Sequence, residues 1–196
     1  MTWATRITIL RLLLVPVFVT LILTYNDTDK REEVWRWGAI ATFALAGISD
    51  AIDGYLARHW NQGSALGALL DPIADKLLLL AALVTLSFIP VGNLRPFPIW
   101  FPAIIISRDA LLLGGYCVLR HFHVPVEIRP HWTGKLSTFF TLLAIGAVLL
   151  KIDRTTTVTL CALGAGLALI CTVIYVRQGL ALLNRSGHTS APSAKS

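Results

Sequence analysis

Four aspartates in an apolar stretch are the residues of this chain best suited to chemistry. Asp50 and Asp53 lie three residues apart, and Asp71 and Asp75 lie four residues apart. Both spacings place the two members of a pair on one face of a helix. A bare carboxylate in lipid costs about 3 kcal/mol even on the most lenient insertion scale. The two pairs therefore need strong counter-charge, and a divalent cation is the simplest source of it.

The residues around the first pair fit a phosphate ligand. Gly54 lets the backbone approach a ligand closely, Ala57 keeps the same helix face open, and Arg58 can donate two hydrogen bonds to phosphate oxygens. Close helix packing is an alternative explanation for the two small residues. Two facing carboxylate pairs suit a site for two divalent ions about 3.5–4 Å apart that hold a phosphoryl group. An all-oxygen ligand set favours Mg²⁺, with Mn²⁺ as the other option.

Composition indicates an all-α integral membrane protein. Of 196 residues, 55% are hydrophobic and 14% charged, and the mean hydropathy is +0.68. The net charge is +6, but the basic residues are dispersed, which argues against nucleic acid as a partner and favours a membrane surface. The three cysteines all lie in apolar runs, where packing explains them better than a disulfide or a zinc site.

The hydrophobic runs predict six transmembrane helices, at about residues 1–25, 37–57, 66–89, 99–118, 136–150 and 157–176. They form one domain over residues 1–183, followed by a disordered polar tail over 184–196. The carboxylate pairs fall at the end of the second helix and the start of the third. We therefore expect the active site in a polar cavity near one membrane face.

Basic residues outside these spans give the orientation. Eight lie on the side of the two termini and six on the other side. This bias predicts termini, and the carboxylate cavity, on the cytoplasmic side.

The aspartate stretch resembles the signature of the CDP-alcohol phosphatidyltransferases, which are integral membrane enzymes of phospholipid synthesis. That signature is Asp, two residues, Asp-Gly, two residues, Ala-Arg, eight residues, Gly, three residues, Asp, three residues, Asp. Every position is filled, by Asp50, Asp53, Gly54, Ala57, Arg58, Gly67, Asp71 and Asp75.

The resemblance implies a reaction and a set of roles. A hydroxyl attacks the lipid-side phosphorus of a CDP-linked lipid such as CDP-diacylglycerol, and CMP leaves. Asp50, Asp53 and Asp71 are implied metal ligands, and Asp75 is implied as both a ligand and the general base. The implied contacts to the CDP-lipid come from Thr8, Gly54, Ala57, Arg58 and Ser64. Thr5 stands where the family usually has Asn, which leaves that one nucleotide contact open. The family also implies a homodimer in a bacterial inner or plasma membrane or the mitochondrial inner membrane, where the termini would face the cytoplasm or matrix.

The acceptor is indicated by a second polar group in the fourth helix. Arg108 in mid-span is costly and so points to function, although an internal pair with Asp109 would also explain it. Arg120 and Lys135 are further acceptor candidates, although snorkelling at helix ends would account for both. The run Ile106-Ser-Arg-Asp, with Arg120 eleven residues beyond Asp109, is similar to CMP-forming cardiolipin synthases.

Three functions stay open at this point. The first is transfer of a phosphatidyl group to phosphatidylglycerol, giving cardiolipin. The second uses glycerol 3-phosphate; that branch usually has an Arg seven residues after the acidic residue, where this chain has Tyr116. The third, from another class, is a cation transporter or channel with an aspartate-lined path, which leaves Gly54, Ala57 and Arg58 unexplained.

Overall fold

A computed structural model describes residues 3–26, 33–60, 65–121 and 132–189, and within these ranges it contains six α-helices and no strand. Side chains are described for residues 9–26, 33–49, 76–115 and 132–179. The helices are α1 (Trp3–Thr24), α2 (Glu33–Trp60), α3 (Ala65–Phe88), α4 (Trp100–His121), α5 (Trp132–Leu149) and α6 (Arg154–Thr189). The predicted all-α class and the number of helices are confirmed.

Two of the helices in the described part of the chain are long and apolar enough to cross a membrane. They are Trp132–Leu149 and Arg154–Gly179. Shorter apolar segments occupy Ile9–Thr24 and Lys76–Phe88. Six membrane spans therefore remain a prediction for the chain as a whole.

Several helices extend beyond their predicted apolar spans. α2 begins at Glu33, before the predicted start at Trp37, and it includes His59 and Trp60, which we expected in a turn. α6 runs to Thr189 and so contains the first six residues of the segment predicted as a disordered tail from Asn184. Adding a residue to an existing helix costs little, and Leu180 to Leu183 are strong helix formers, so the helix continues past the hydrophobic run. The hydrophobic pattern marked the apolar part of each helix rather than its ends.

The chain divides into two compact units, and the first contains Met1–Pro98 and Ile145–Thr157. Here α1 packs against both α2 and α3. The rings of Phe18 and Phe43 lie 5.7 Å apart between centroids, and the Leu21 side chain comes within 3.6 Å of where a Cβ on Gly38 would stand. From Phe18 to Leu21 the residue numbers rise along α1, whereas the residues of α2 that they contact fall from Phe43 to Gly38. The two helices are therefore antiparallel.

The turn between α5 and α6 also belongs to the first unit. The N–H of Ile152 donates to the Ala147 carbonyl at 2.8 Å, and that of Lys151 to the Val148 carbonyl at 3.0 Å. Lys151 adopts a φ of 56°, a left-handed conformation that usually favours glycine at this position of a helix end. Asp153 then caps α6, because its carboxylate accepts hydrogen bonds from the N–H and hydroxyl of Thr156, both at 2.8 Å.

The second unit contains Ile99–Ala144 and Val158–Ser196. Small residues allow close contact between α5 and α6 within it. The Ser137 hydroxyl donates to the Gly164 carbonyl at 2.9 Å, and a Cβ on Gly164 would lie 3.4 Å from Phe140 and 3.6 Å from Phe101. The unit thus positions Arg108 on α4 beside residues of α5 and α6.

Candidate functional site

The four aspartates lie on two helices that share one packing partner. α2 contains Asp50 and Asp53, and α3 contains Asp71 and Asp75, as the spacing predicts. Both helices pack against α1. The side chains of all four aspartates lie outside those that the structure describes, so their role as a metal site stays a prediction.

The predicted contacts to the CDP-lipid also fall on or next to these helices. Gly54, Ala57 and Arg58 are in α2 and Thr8 is in α1, with side chains outside the described set. Ser64 lies between α2 and α3, outside the described residues. Elsewhere, no group of three or more His, Cys, Asp or Glu side chains could hold a metal ion among the residues described. The aspartates of α2 and α3 are the ligands that the sequence predicts.

Arg11 is a candidate site residue that the sequence reasoning missed. It lies within α1 and its side chain is only 2% exposed, in a unit whose described core is mostly apolar. In the sequence it opens the first hydrophobic run, where a basic residue is ordinary. The signal that could have found it is the cost of a charge within an apolar helix, which makes such a residue a functional candidate by default.

Arg108, the predicted acceptor residue, is held by neighbours from three helices. Its Nη1 donates to Asp109 Oδ1 at 2.9 Å, and its Nη2 lies 3.6 Å from the Cys171 thiol on α6. Its side chain is 12% exposed. The pair with Asp109, which is the alternative to a functional role for Arg108, is present. Within the described residues, Nη2 then has a sulfur contact alone, and a thiol is a weak hydrogen-bond acceptor.

Gly134 on α5 leaves the space that the Arg108 guanidinium occupies. A Cβ at Gly134 would lie 2.9 Å from Arg108 Nη2 and 3.3 Å from Cys171 Sγ. Among the described side chains, the buried Nε of Arg108 and the hydroxyl oxygen of Thr133, next to Gly134 in the sequence, have no hydrogen-bond partner, and the same is true of Arg36 Nε. A free Nε therefore does not distinguish the two arginines, whereas the Thr133 hydroxyl is a buried polar atom that a ligand could use. We call Arg108, Asp109, Thr133, Gly134 and Cys171 the Arg108 cluster.

The other two acceptor candidates are Lys135 and Arg120. Lys135 lies in the first turn of α5, next to Gly134, and its side chain is exposed. Arg120 lies near the end of α4, with its side chain outside the described set, as is that of Tyr116. Of the loop histidines, His121 ends α4 and the others fall outside the described residues.

A second buried arginine, Arg36, lies in the first unit and makes different contacts. Its Nη1 donates to the Leu149 carbonyl at the end of α5 at 2.7 Å, and its Nη2 donates to Glu33. Lys151 binds the other oxygen of Glu33 at 3.0 Å and lies over the Tyr25 ring. Hydrogen bonds from Arg36 and Lys151 hold the pKa of Glu33 below its usual value. We call Arg36, Glu33, Lys151 and the Leu149 carbonyl the Arg36 cluster.

Comparison with known proteins places the chain in a family. The model of the CDP-alcohol phosphatidyltransferase family matches residues 1–177. A cardiolipin synthase (CMP-forming) of Streptomyces coelicolor is 38% identical over 142 residues, which is 72% of this chain and 61% of the Streptomyces protein. A probable phosphatidylglycerophosphate synthase of Mycobacterium tuberculosis is 35% identical over 90% of this chain and 81% of its own length. A CDP-diacylglycerol–glycerol-3-phosphate 3-phosphatidyltransferase of Haemophilus influenzae is 36% identical over 76% of this chain and 75% of its own length.

The helical fold, the filled aspartate signature and these matches define a class of phosphatidyl-group transferase. The chain belongs to the CDP-alcohol phosphatidyltransferase family of phospholipid-synthesising enzymes. Its relatives divide between two products, cardiolipin and phosphatidylglycerophosphate, so the family alone does not choose the acceptor.

Proposed function

We propose that this protein transfers a phosphatidyl group from CDP-diacylglycerol to phosphatidylglycerol, forming cardiolipin and releasing CMP. The observation that carries the transferase part is the complete aspartate signature on α2 and α3. The acceptor hydroxyl loses its proton to Asp75, its oxygen forms a bond to the lipid-side phosphorus, and the bond from that phosphorus to CMP breaks. General-base assistance of this kind contributes about 10²–10⁴-fold to a rate.

Asp50, Asp53, Asp71 and Asp75 would hold two divalent cations, Mg²⁺ or Mn²⁺, which when bound supply positive charge for phosphoryl transfer. The donor set fits such ions, because it consists of carboxylate oxygens at helical spacing on two helices that pack on α1. Arg58, Gly54, Ala57, Thr8 and Ser64 bind the CDP part of the donor. These residues orient the phosphorus and need not take up a proton.

The Arg108 cluster supports phosphatidylglycerol as the acceptor. Glycerol 3-phosphate carries a dianion, which usually requires several converging cationic donors. Arg108 is already paired with Asp109 at 2.9 Å, so the cluster has little net positive charge to offer. Phosphatidylglycerol carries a single phosphodiester charge, for which one partly neutralised arginine suffices.

Transfer to glycerol 3-phosphate is the second candidate. It is favoured by the Mycobacterium relative, which is named a probable phosphatidylglycerophosphate synthase and matches more of this chain than the Streptomyces protein does. An aspartate-lined cation path is disfavoured, since family membership makes the chain an enzyme.

The deciding experiment offers both acceptors at equal concentration to the purified full chain with CDP-diacylglycerol. We expect cardiolipin and CMP as the main products by mass spectrometry. A dominant yield of phosphatidylglycerophosphate would select the second candidate. A chelator should abolish CMP release, and Mg²⁺ or Mn²⁺ should restore it; full release in excess chelator would rule out the divalent ions.

The proposed setting is a bacterial inner or plasma membrane, or the mitochondrial inner membrane, with the active-site cavity near the cytoplasmic or matrix face and two copies forming a dimer. Two apolar helices of sufficient length support the membrane location. Cysteines introduced as Gln62→Cys and His123→Cys should resist an impermeant reagent added outside intact cells. Ready labelling at both would invert the topology.

A further inference from the structure

Thr133 differs from the other hydroxyl residues of α5. The helix contains four such residues, and three of them donate hydrogen bonds to backbone carbonyls. These are Ser137, Thr138 and Thr141, with donor–acceptor distances of 2.9, 3.1 and 2.9 Å. The hydroxyl oxygen of Thr133 is buried and has no hydrogen-bond partner among the described residues. A buried hydroxyl without a partner costs free energy, which a bound ligand could recover.

The position of Thr133 at the start of α5 shows why the helix itself does not satisfy this hydroxyl. A threonine inside a helix can donate to the carbonyl four residues earlier, as Thr138 and Thr141 do. The fourth residue before Thr133 precedes α5, which begins at Trp132. The hydroxyl of Thr133 therefore needs a partner from outside the helix.

Thr133 is next in sequence to the residue that contacts Arg108. A Cβ on Gly134 would lie 2.9 Å from Arg108 Nη2, so the first turn of α5 lies against the guanidinium. All three residues belong to the same compact unit. A guanidinium only donates hydrogen bonds, which suits phosphate oxygens, whereas a threonine hydroxyl both donates and accepts, which suits another hydroxyl. The Arg108 cluster thus offers a charged group for a phosphodiester and a neutral group for a polyol.

We propose that Thr133 is a specificity-determining residue whose hydroxyl binds the central hydroxyl of the acceptor's glycerol headgroup, while Arg108 binds the phosphodiester. This role rests on the proposed function, because it requires a glycerol headgroup at the Arg108 cluster. Cardiolipin formation consumes the terminal hydroxyl of phosphatidylglycerol, so the central hydroxyl stays free to bind the protein. Glycerol 3-phosphate has the same central hydroxyl.

The test compares phosphatidylglycerol with phosphatidylpropanediol, an acceptor that keeps the terminal hydroxyl and lacks the central one. For the purified wild-type chain, the KM for phosphatidylglycerol should be about threefold to tenfold below that for the analogue, as expected for one neutral hydrogen bond. Thr133→Val removes the hydroxyl at nearly constant shape, so its two KM values should agree within about twofold. Thr133→Ser keeps the hydroxyl and should keep the wild-type preference.

Thermal unfolding without acceptor adds a readout that a structural role of the hydroxyl would move in the opposite direction. Thr133→Val should raise the midpoint temperature by about 2–4 °C, because it removes a buried polar atom that has no partner. Thr141→Val is the matched control, since the Thr141 hydroxyl is also buried but donates to Ser137. Its midpoint should not rise, and its preference for phosphatidylglycerol should equal that of the wild type.

The possible failures are distinguishable. If the wild type forms no cardiolipin, the proposed function is overturned, and the same comparison with glycerol 3-phosphate and hydroxypropyl phosphate then decides the role of Thr133. If the wild type forms cardiolipin and Thr133→Val keeps the wild-type preference between the two lipids, the role of Thr133 alone is overturned. A lower unfolding midpoint for Thr133→Val would also overturn it, because the hydroxyl would then stabilise the fold. Should Thr133→Val not fold, Thr133→Ala lacks the same hydroxyl and replaces it in the kinetic comparison.

Discussion

Arg36 is buried and Arg108 is half-buried, and their partners differ. Arg36 donates through both Nη atoms to oxygen acceptors, namely Glu33 and the Leu149 carbonyl. Among the described side chains, Arg108 has one oxygen partner, Asp109, and its Nη2 faces the sulfur of Cys171. A guanidinium whose strong donors are used by the fold stabilises the fold, whereas one with spare donors can bind a ligand. We therefore propose that Arg36 contributes to stability and that Arg108 contributes to acceptor recognition.

The contrast also separates what the sequence can reveal from what it cannot. Both arginines lie in or beside apolar runs, and local pattern assigned Arg36 to the membrane-flanking charges. Its partner Leu149 is 113 positions away, and a backbone carbonyl leaves no trace in the sequence. Gly134 likewise looks like an ordinary loop glycine until Arg108 and Cys171 are placed against it.

The aspartate signature was predictable for the opposite reason. Its chemistry depends on spacing within two neighbouring helices, and spacing is local information. The structure confirms that Asp50 and Asp53 share α2 and that Asp71 and Asp75 share α3. Arg11 was missed because its burial follows from the packing of α1 within its unit, which the local sequence does not show.

The largest expected difference between the two arginines is in the acceptor requirement. A charge-assisted hydrogen bond contributes about 1.5–3 kcal/mol, which corresponds to roughly 10–150-fold in binding. Arg108→Met should raise the KM for phosphatidylglycerol by that factor and leave the KM for CDP-diacylglycerol within about twofold. Steady-state kinetics with each substrate varied in turn provides the measurement. A matched rise in both KM values would show a general disturbance of the site.

Arg36→Met should show the reverse pattern. It removes two hydrogen bonds from a buried group and leaves the α5 carbonyl end unpaired, a cost on the order of 2 kcal/mol in unfolding free energy. The KM for phosphatidylglycerol should stay at its wild-type value. Thermal or denaturant unfolding, measured together with steady-state kinetics, checks both statements. A raised KM for phosphatidylglycerol would contradict the separation of a stabilising Arg36 from an acceptor-binding Arg108.

A smaller effect should follow from filling the space at Gly134. Gly134→Ala places a methyl group 2.9 Å from the present position of Arg108 Nη2, and the flexible guanidinium must shift. We expect a rise of about threefold to tenfold in acceptor KM, less than loss of the whole side chain causes. Gly146→Ala on the same helix meets no atom within 4 Å and serves as the control. Addition of Cys171→Ala to Gly134→Ala should restore part of the loss, because it frees the neighbouring volume.

The smallest expected effect is a change in the stability of the folded protein at acid pH. Hydrogen bonds from Arg36, and then from Lys151, hold the folded-state pKa of Glu33 below the ordinary value of 4.5. The stabilisation from Glu33 is therefore complete above about pH 4.5 and is lost as pH falls through the lower folded-state pKa. Glu33→Gln should unfold more easily than the wild type at neutral pH, and the difference should shrink in this acid range. A difference that is constant with pH would show that the negative charge of Glu33 does not contribute to the stability of the folded protein.

The most direct test of the whole account is CMP release from CDP-diacylglycerol by Asp75→Asn, with phosphatidylglycerol and Mg²⁺ present. The substitution keeps the shape of the side chain but removes the proposed base and one proposed cation ligand. Turnover should fall by at least about 10²-fold. Donor binding should weaken less, since Asp50, Asp53 and Arg58 remain. A variant that retains more than about a tenth of wild-type turnover would contradict Asp75 as the base, given the size of such effects.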